Sequence, residues 1–225
     1  SPRVGGFRGS VQFPTLDASS GQGRIVFGTP ATEKRHAYVA SMGGFYANGP
    51  FQAGIAYEAH NKVRAPNLDD QAFSIAGNWN FGIVKIGGVW ERLDYDTPTG
   101  DLKRDFWGVS SHIMVGANGT VFLFYGQASD GKGSAVDTPA PITTATGIVT
   151  SNISRVAGLA KGDNTGSNQW EVSYAYNLSK RTKVYTGYVK IDNDSNANYT
   201  FNINSYAVAA GVKPGGFVMG MGHSF

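Results

Sequence analysis

Four histidines, His36, His60, His112 and His223, are the side chains best suited to acid–base or metal chemistry, and their placement suits neither. No two of them have metal-ligand spacing. His60, His112 and His223 fall in strand-like stretches and are candidate bases for a hydrolase, but no Ser or Asp partner can be assigned to any of them. The chain has no cysteine, which removes disulfides, thiolate metal sites and a cysteine nucleophile. Gly126, followed after four residues by Gly131-Lys132-Gly133, imitates a phosphate-binding loop. It lacks a Ser or Thr after Lys132 and has no helical pattern behind it. Asp192 and Asp194 flank Asn193 and could hold a divalent cation, although a solvated acidic loop explains them as well. No cofactor and no metal are expected.

The remaining polar residues follow a different rule. Arg8, Gln52, Glu58, His60, Lys85, Glu91, Gln169 and Glu171 alternate with period two, each beside at least one large or small apolar residue. The net charge is +3 and the isoelectric point about 9.0. The basic clusters are short, such as Lys180-Arg181-Thr182-Lys183, and form no stripe for nucleic acid. Ser1-Pro2-Arg3 is not followed by an apolar run, so no signal peptide is expected.

Period two requires strands. The last nine residues place Phe217, Met219, Met221, His223 and Phe225 on one face and Val218, Gly220, Gly222 and Ser224 on the other. Comparable alternation occurs over 3–13, 37–47, 51–60, 70–80, 83–94, 105–116, 168–177 and 183–191. Residues 120–128 are strand-like but apolar on both faces. The sequence thus reads as about ten strands of roughly 9–12 residues. Short turns at 48–50, 80–82, 117–119 and 178–182 alternate with long loops at 14–36, 61–69, 95–104, 129–167 and 192–216, the last with a possible small hairpin at 206–212. Ala117-Asn118-Gly119-Thr120 is the strongest hairpin signal. Hydrophobic residues make up 41%, mean hydropathy is −0.22, and no run approaches the length of a membrane helix. Apolar-out alternation with loops short on one side and long on the other points to an all-β transmembrane antiparallel β-barrel. A soluble glycan-binding β-sandwich and an outer-membrane β-barrel enzyme are the alternatives.

Three stretches carry a family resemblance: Ser1-Pro2 with Gly6-Phe7, Tyr176-Asn177-Leu178-Ser179-Lys180-Arg181-Thr182 running into 185–194, and the terminal Gly222-His223-Ser224-Phe225. On these the chain resembles the carboxyl-terminal part of a Gram-negative general porin of the β-proteobacterial type, over essentially its whole length. The resemblance implies a sixteen-stranded trimeric barrel in the bacterial outer membrane that passes small hydrophilic solutes and prefers anions. It also implies that the barrel-assembly machinery reads Phe225. The ten strands would be the seventh to the sixteenth, so 1–225 would be one porin domain lacking its first strands and the loop that narrows the lumen. A closed ten-stranded barrel is the alternative. Alternation then turns the eight polar residues above into the bore and puts Trp79, Trp90, Trp107, Trp170, Tyr176 and Phe225 on the lipid face or near strand ends. Of these, Trp79, Tyr176 and Phe225 mark the membrane interface. Arg8 and Lys85 are either a basic ladder for anions or counter-ions of Glu58 and Glu91.

Overall fold

The computed structural model of the chain describes residues 5–12, 15–17, 36–65, 68–135, 140–144, 147–151, 155–156, 159–201 and 207–224. Among them lie fifteen strands and no helix: β1 (Phe7–Gln12), β2 (Thr15–Asp17), β3 (His36–Asn48), β4 (Phe51–Ala65), β5 (Leu68–Asn80), β6 (Val84–Thr97), β7 (Gly100–Val115), β8 (Gly119–Ala128), β9 (Ala140–Thr144), β10 (Gly147–Ser151), β11 (Arg155–Val156), β12 (Leu159–Ala160), β13 (Ser167–Asn177), β14 (Thr182–Asn193) and β15 (Gly215–His223). One antiparallel sheet runs β1-β3-β4-β5-β6-β7-β8-β13-β14-β15. β2 continues the line of β1, because Gln12 faces Ser41 and Thr15 faces Tyr38 in a single register. The wall therefore has ten strand positions, each next to its sequence neighbour. The pairs β9–β10 and β11–β12 are small hairpins of the long loop.

The short turns are tight because the backbone can enter the left-handed region there. Gly49 has φ +54° and Gly116 has φ +64°. Asn118-Gly119 is not the turn centre that its composition suggests. The turn is Gly116-Ala117-Asn118, and Gly119 already pairs with Val115 and Tyr176. A Cβ on Gly119 would come within 2.6 Å of the Tyr174 hydroxyl and the Val115 carbonyl oxygen, so glycine is needed there for close approach. In Asn177–Thr182, the Ser179 hydroxyl accepts from the amides of Arg181 at 3.2 Å and Thr182 at 3.1 Å, which shapes that turn.

Two expected long loops are instead extended hairpins. β4 reaches Ala65 and β5 begins at Leu68, while β6 reaches Thr97 and β7 begins at Gly100. Their charged residues read as loop but pair across strands. Lys103 bridges Asp101 at 2.6 Å and Asp94 at 3.3 Å. Polar alternation suits a strand where both faces are wet. At 207–212 no strand forms, and Tyr206 lies outside the described residues.

The sheet has no second layer over its apolar face among the described residues. Phe217 is 85% exposed, Met219 81% and Ile55 54%, whereas the buried apolar side chains cluster at the long-loop end, where Leu102, Leu159 and Tyr95 meet. Water would not tolerate so large an uncovered apolar face. The soluble sandwich is thereby overturned. Among the described residues no pairing joins β1 to β15, so closure as a ten-stranded barrel is not formed and both edges are open.

Candidate pore lining

Register settles which side chains share a face. One ladder row passes through Arg8, Phe45, Gly54, Ala76, Val89, Gly108, Gly126 and Gln169. A parallel row holds Gln52, Asn78, Gly87, Ser110, Phe124 and Glu171. Glu58, His60, Lys85 and Glu91 sit an even number of residues from these rows, so all eight expected polar residues lie on one face. The opposite face carries Phe7, Tyr46, Ile55, Ile75, Trp90 and Phe217. Residues 120–128 are now oriented: Val121, Leu123 and Tyr125 join the apolar face, and Phe122 and Phe124 the polar one. These two phenyl groups lie low on the polar face. Added Cβ atoms on Gly108 and Gly126 would come within 3.0 and 2.8 Å of the Phe124 ring.

The polar face is graded along the strands. Lys85 and Lys183 are the second residues of β6 and β14, next to short turns, and His112 pairs with Lys85. Arg8 faces Phe45, close to the turn after β3, with its guanidinium 5.9 Å from that ring. Glu58, Glu91 and Glu171 occupy the middles of their strands. Cations thus gather at the short-turn end and carboxylates farther in. An open groove of about 720 Å³ crosses the cationic end between Arg8, Gln52, Asn78, Lys85 and His112. Glu58 is held by His60 at 2.6 Å and accepts from the Ser41 hydroxyl at 3.3 Å. Among the described residues, Arg8 and Lys85 form no ion pair with Glu58 or Glu91, so the counter-ion reading of those two cations is not realised. Lys183 and His112 were missed as members of this face. Lys183 ends a turn-like basic cluster, while His112 was placeable by its offset from Trp107 and Val109.

The apolar face carries two aromatic belts. At the short-turn end Phe7, Tyr46, Phe51, Trp79 and Phe81 form a chain, with successive ring centroids 4.6, 6.3, 5.8 and 6.1 Å apart. At the other end Phe73 meets Trp90 at 6.1 Å, Trp107 meets Tyr125 at 5.5 Å, and Trp170, Tyr188 and Phe217 follow at 5.3 and 4.7 Å. Phe51 and Tyr57 mark the two levels in β4, roughly 20 Å apart at about 3.3 Å per residue. Tyr176 shares this face beside the Asn177 turn, and Phe225 lies outside the described residues.

Just beyond the second belt the same face turns ionic. Arg92 holds Asp105 through two bonds of 2.7 and 2.9 Å, and its guanidinium carbon lies 5.4 Å from the centroid of the Trp90 ring. Lys190 approaches Asp192 at 3.0 Å, which occupies the acidic residue of the possible cation site. Among the described residues no group of acidic or histidine side chains is disposed to hold a metal. Lys132, of the phosphate-loop imitation, instead exchanges backbone bonds with Lys103 as part of the wall.

At the Gly100 turn, Lys103 and then Ser134 hold the Asp101 carboxyl well below the usual carboxylate range. A lowered folded value means that this tie to Ser134 persists above the ordinary carboxylate range and is lost as pH falls through the lowered value. Asp101→Asn is expected to speed hydrogen exchange at the Ser134 amide, which donates to Asp101 Oδ1 at 2.8 Å, and at Ala135, with Asp105 unaffected.

A single twisted wall with one apolar, doubly belted face and one polar face defines a transmembrane β-barrel protein. The chain belongs to the Gram-negative porin family, which it matches over residues 1–197, and this places it in the bacterial outer membrane. It is similar to the outer membrane porin protein 32 of Delftia acidovorans, with 24% identity over 238 residues covering 100% of this chain and 54% of that protein. Its fold is similar to the anion-selective porin from Comamonas acidovorans, at a TM-score of 0.70 and 21% identity, covering 100% of this chain and 57% of that one. It also resembles OmpT, an outer membrane protein of Vibrio cholerae, at a TM-score of 0.53 and 12% identity over 98% of this chain and 77% of that one. The chain spans about half the length of the curated relative it matches.

Proposed function

We propose that this chain forms wall and lining of a water-filled channel through which small hydrophilic solutes cross the outer membrane by diffusion, with anions preferred. The observation that carries this reading is the division of the sheet between the two belts, with Arg8, Lys85, Lys183 and His112 on one face and uncovered apolar and aromatic side chains on the other. Such a wall does no bond chemistry; it sets a bore and its charge. Cations at the short-turn mouth, unmatched by Glu58 or Glu91, favour anions there, and the similar Comamonas protein is named anion-selective. The open edges of β1 and β15 cannot face lipid, because no water is there to satisfy their N–H and C=O groups. The ten strands are accordingly read as part of a larger porin barrel, with residues 1–225 a single domain of it. Family membership supports association as a homotrimer, and the same reading takes Phe225 as the residue met by the barrel-assembly machinery.

Planar-bilayer recording tests the reading. The full-length barrel that contains this chain is expected to insert with discrete conductance steps and, in a salt gradient, a reversal potential of the sign set by anion flow. Folded full-length protein that binds bilayers without conductance steps would overturn it.

A further inference from the structure

The polar face holds one cation whose surroundings the channel reading does not use. Arg104 stands on β7 opposite Leu93, beyond the second aromatic belt, and is 8% exposed. Its guanidinium carbon sits 4.2 Å from the centroid of the Tyr199 ring. Its Nε and Nη2 are buried and have no hydrogen-bond acceptor among the described residues. These two nitrogens lie on the same edge of the guanidinium, the edge that grips a carboxylate side-on with two parallel bonds. Arg92 shows that use in the same molecule, with its Nε and Nη2 donating to the two oxygens of Asp105. Asp130, whose field reaches Arg104, makes no bond to it: its Oδ1 accepts from the amides of Thr165 at 2.8 Å and Gly166 at 2.9 Å. A buried guanidinium edge without an acceptor is costly, and a small anion with two coplanar oxygens relieves that cost.

We propose that the Nε/Nη2 edge of Arg104 is a binding site for a small carboxylate anion, enclosed under Tyr199 at the long-loop end of the wall. Tyr199 is tied to the wall by Asn193, which accepts from the Tyr199 amide at 3.1 Å and donates to the carbonyl oxygens of Tyr199 at 2.8 Å and Val212 at 2.7 Å. Since the two nitrogens are covered, the carboxylate enters when the 194–201 stretch lifts, and once bound it holds that stretch down. The site concerns binding, not current, and stands or falls apart from the channel reading.

Acetate is the probe, added to the folded full chain in detergent micelles against equal sodium chloride. Hydrogen exchange at the Tyr199 and Thr200 amides is expected to slow in acetate and not in chloride. Arg104→Lys keeps the charge but loses the fork, and should weaken the acetate response about tenfold. Arg92→Lys should leave it unchanged. Equal slowing in acetate and chloride, no slowing in acetate, or an undiminished response in Arg104→Lys would each overturn the proposal. Tighter binding of phosphate than acetate would overturn the carboxylate assignment. Should Arg104→Lys fail to fold, the contrast between acetate and chloride on the native chain still decides.

Discussion

Ile75→Arg is expected to cost about 2–4 kcal/mol of folding free energy in a bilayer, the depth-dependent penalty for a cation facing lipid near the midplane. Ile75 pairs with Ile55 and Trp90 on the apolar face and is 47% exposed. It lies between Trp79 of one belt and Phe73 of the other. Among the described residues no carboxylate on that face could take up the charge between the two belts, and the pair Arg92–Asp105 lies past the second. The next residue is the control. Ala76 pairs with Gly54 and Val89 on the polar face and borders the open groove. Ala76→Arg should therefore fold almost as well as the native chain. Denaturant titration of both variants in lipid vesicles measures the difference, and a larger cost for Ala76→Arg would invert the assignment of the two faces.

The second large effect is on ion preference. Reversing both Arg8 and Lys85 to Glu changes the polar face by four unit charges. Each unit charge is worth roughly 0.5 kcal/mol to an ion about 8 Å away in water, so the combined change is about 2 kcal/mol, a factor on the order of 30 at low salt against each anion and in favour of each cation. The native preference for anions should become a preference for cations, and the shift should shrink as salt shortens the screening length. Lys190→Glu supplies the contrast, because Lys190 pairs with Trp170 on the apolar face and bonds Asp192. It should leave the reversal potential almost unchanged. An Arg8→Glu, Lys85→Glu double variant with native reversal potentials would remove these side chains from the ion path.

Arg104 shows why part of the site escaped the sequence. Its stretch, 95–104, has the composition of a loop, yet it forms the upper arms of β6 and β7, where Lys103 of β7 bridges Asp94 of β6 as well as Asp101 on its own strand. Its burial comes from Tyr199, far along the chain. The two apolar faces of 120–128 were unreadable for a related reason. Phe122 and Phe124 can sit on a polar wall because Gly108 of the neighbouring strand and Gly126 leave room for the Phe124 ring, and His112 stacks on Phe122 at 4.8 Å. The hairpin signalled by Ala117-Asn118-Gly119-Thr120 joins β7 to β8, with its turn one residue earlier, at 116–118.

By itself the sequence determined the ten strand positions, the alternation that separates Arg8 from Phe7 and Glu58 from Tyr57, and the family. These depend on period two and on short-range turn chemistry, which neighbouring residues carry. The tertiary structure alone decided the ladder rows, the gathering of Lys85, Lys183, Arg8 and His112 at one end, the enclosure of Arg104, and the open edges of β1 and β15. Those depend on register between strands, and register is a sum of many cross-strand contacts that no single stretch of chain contains.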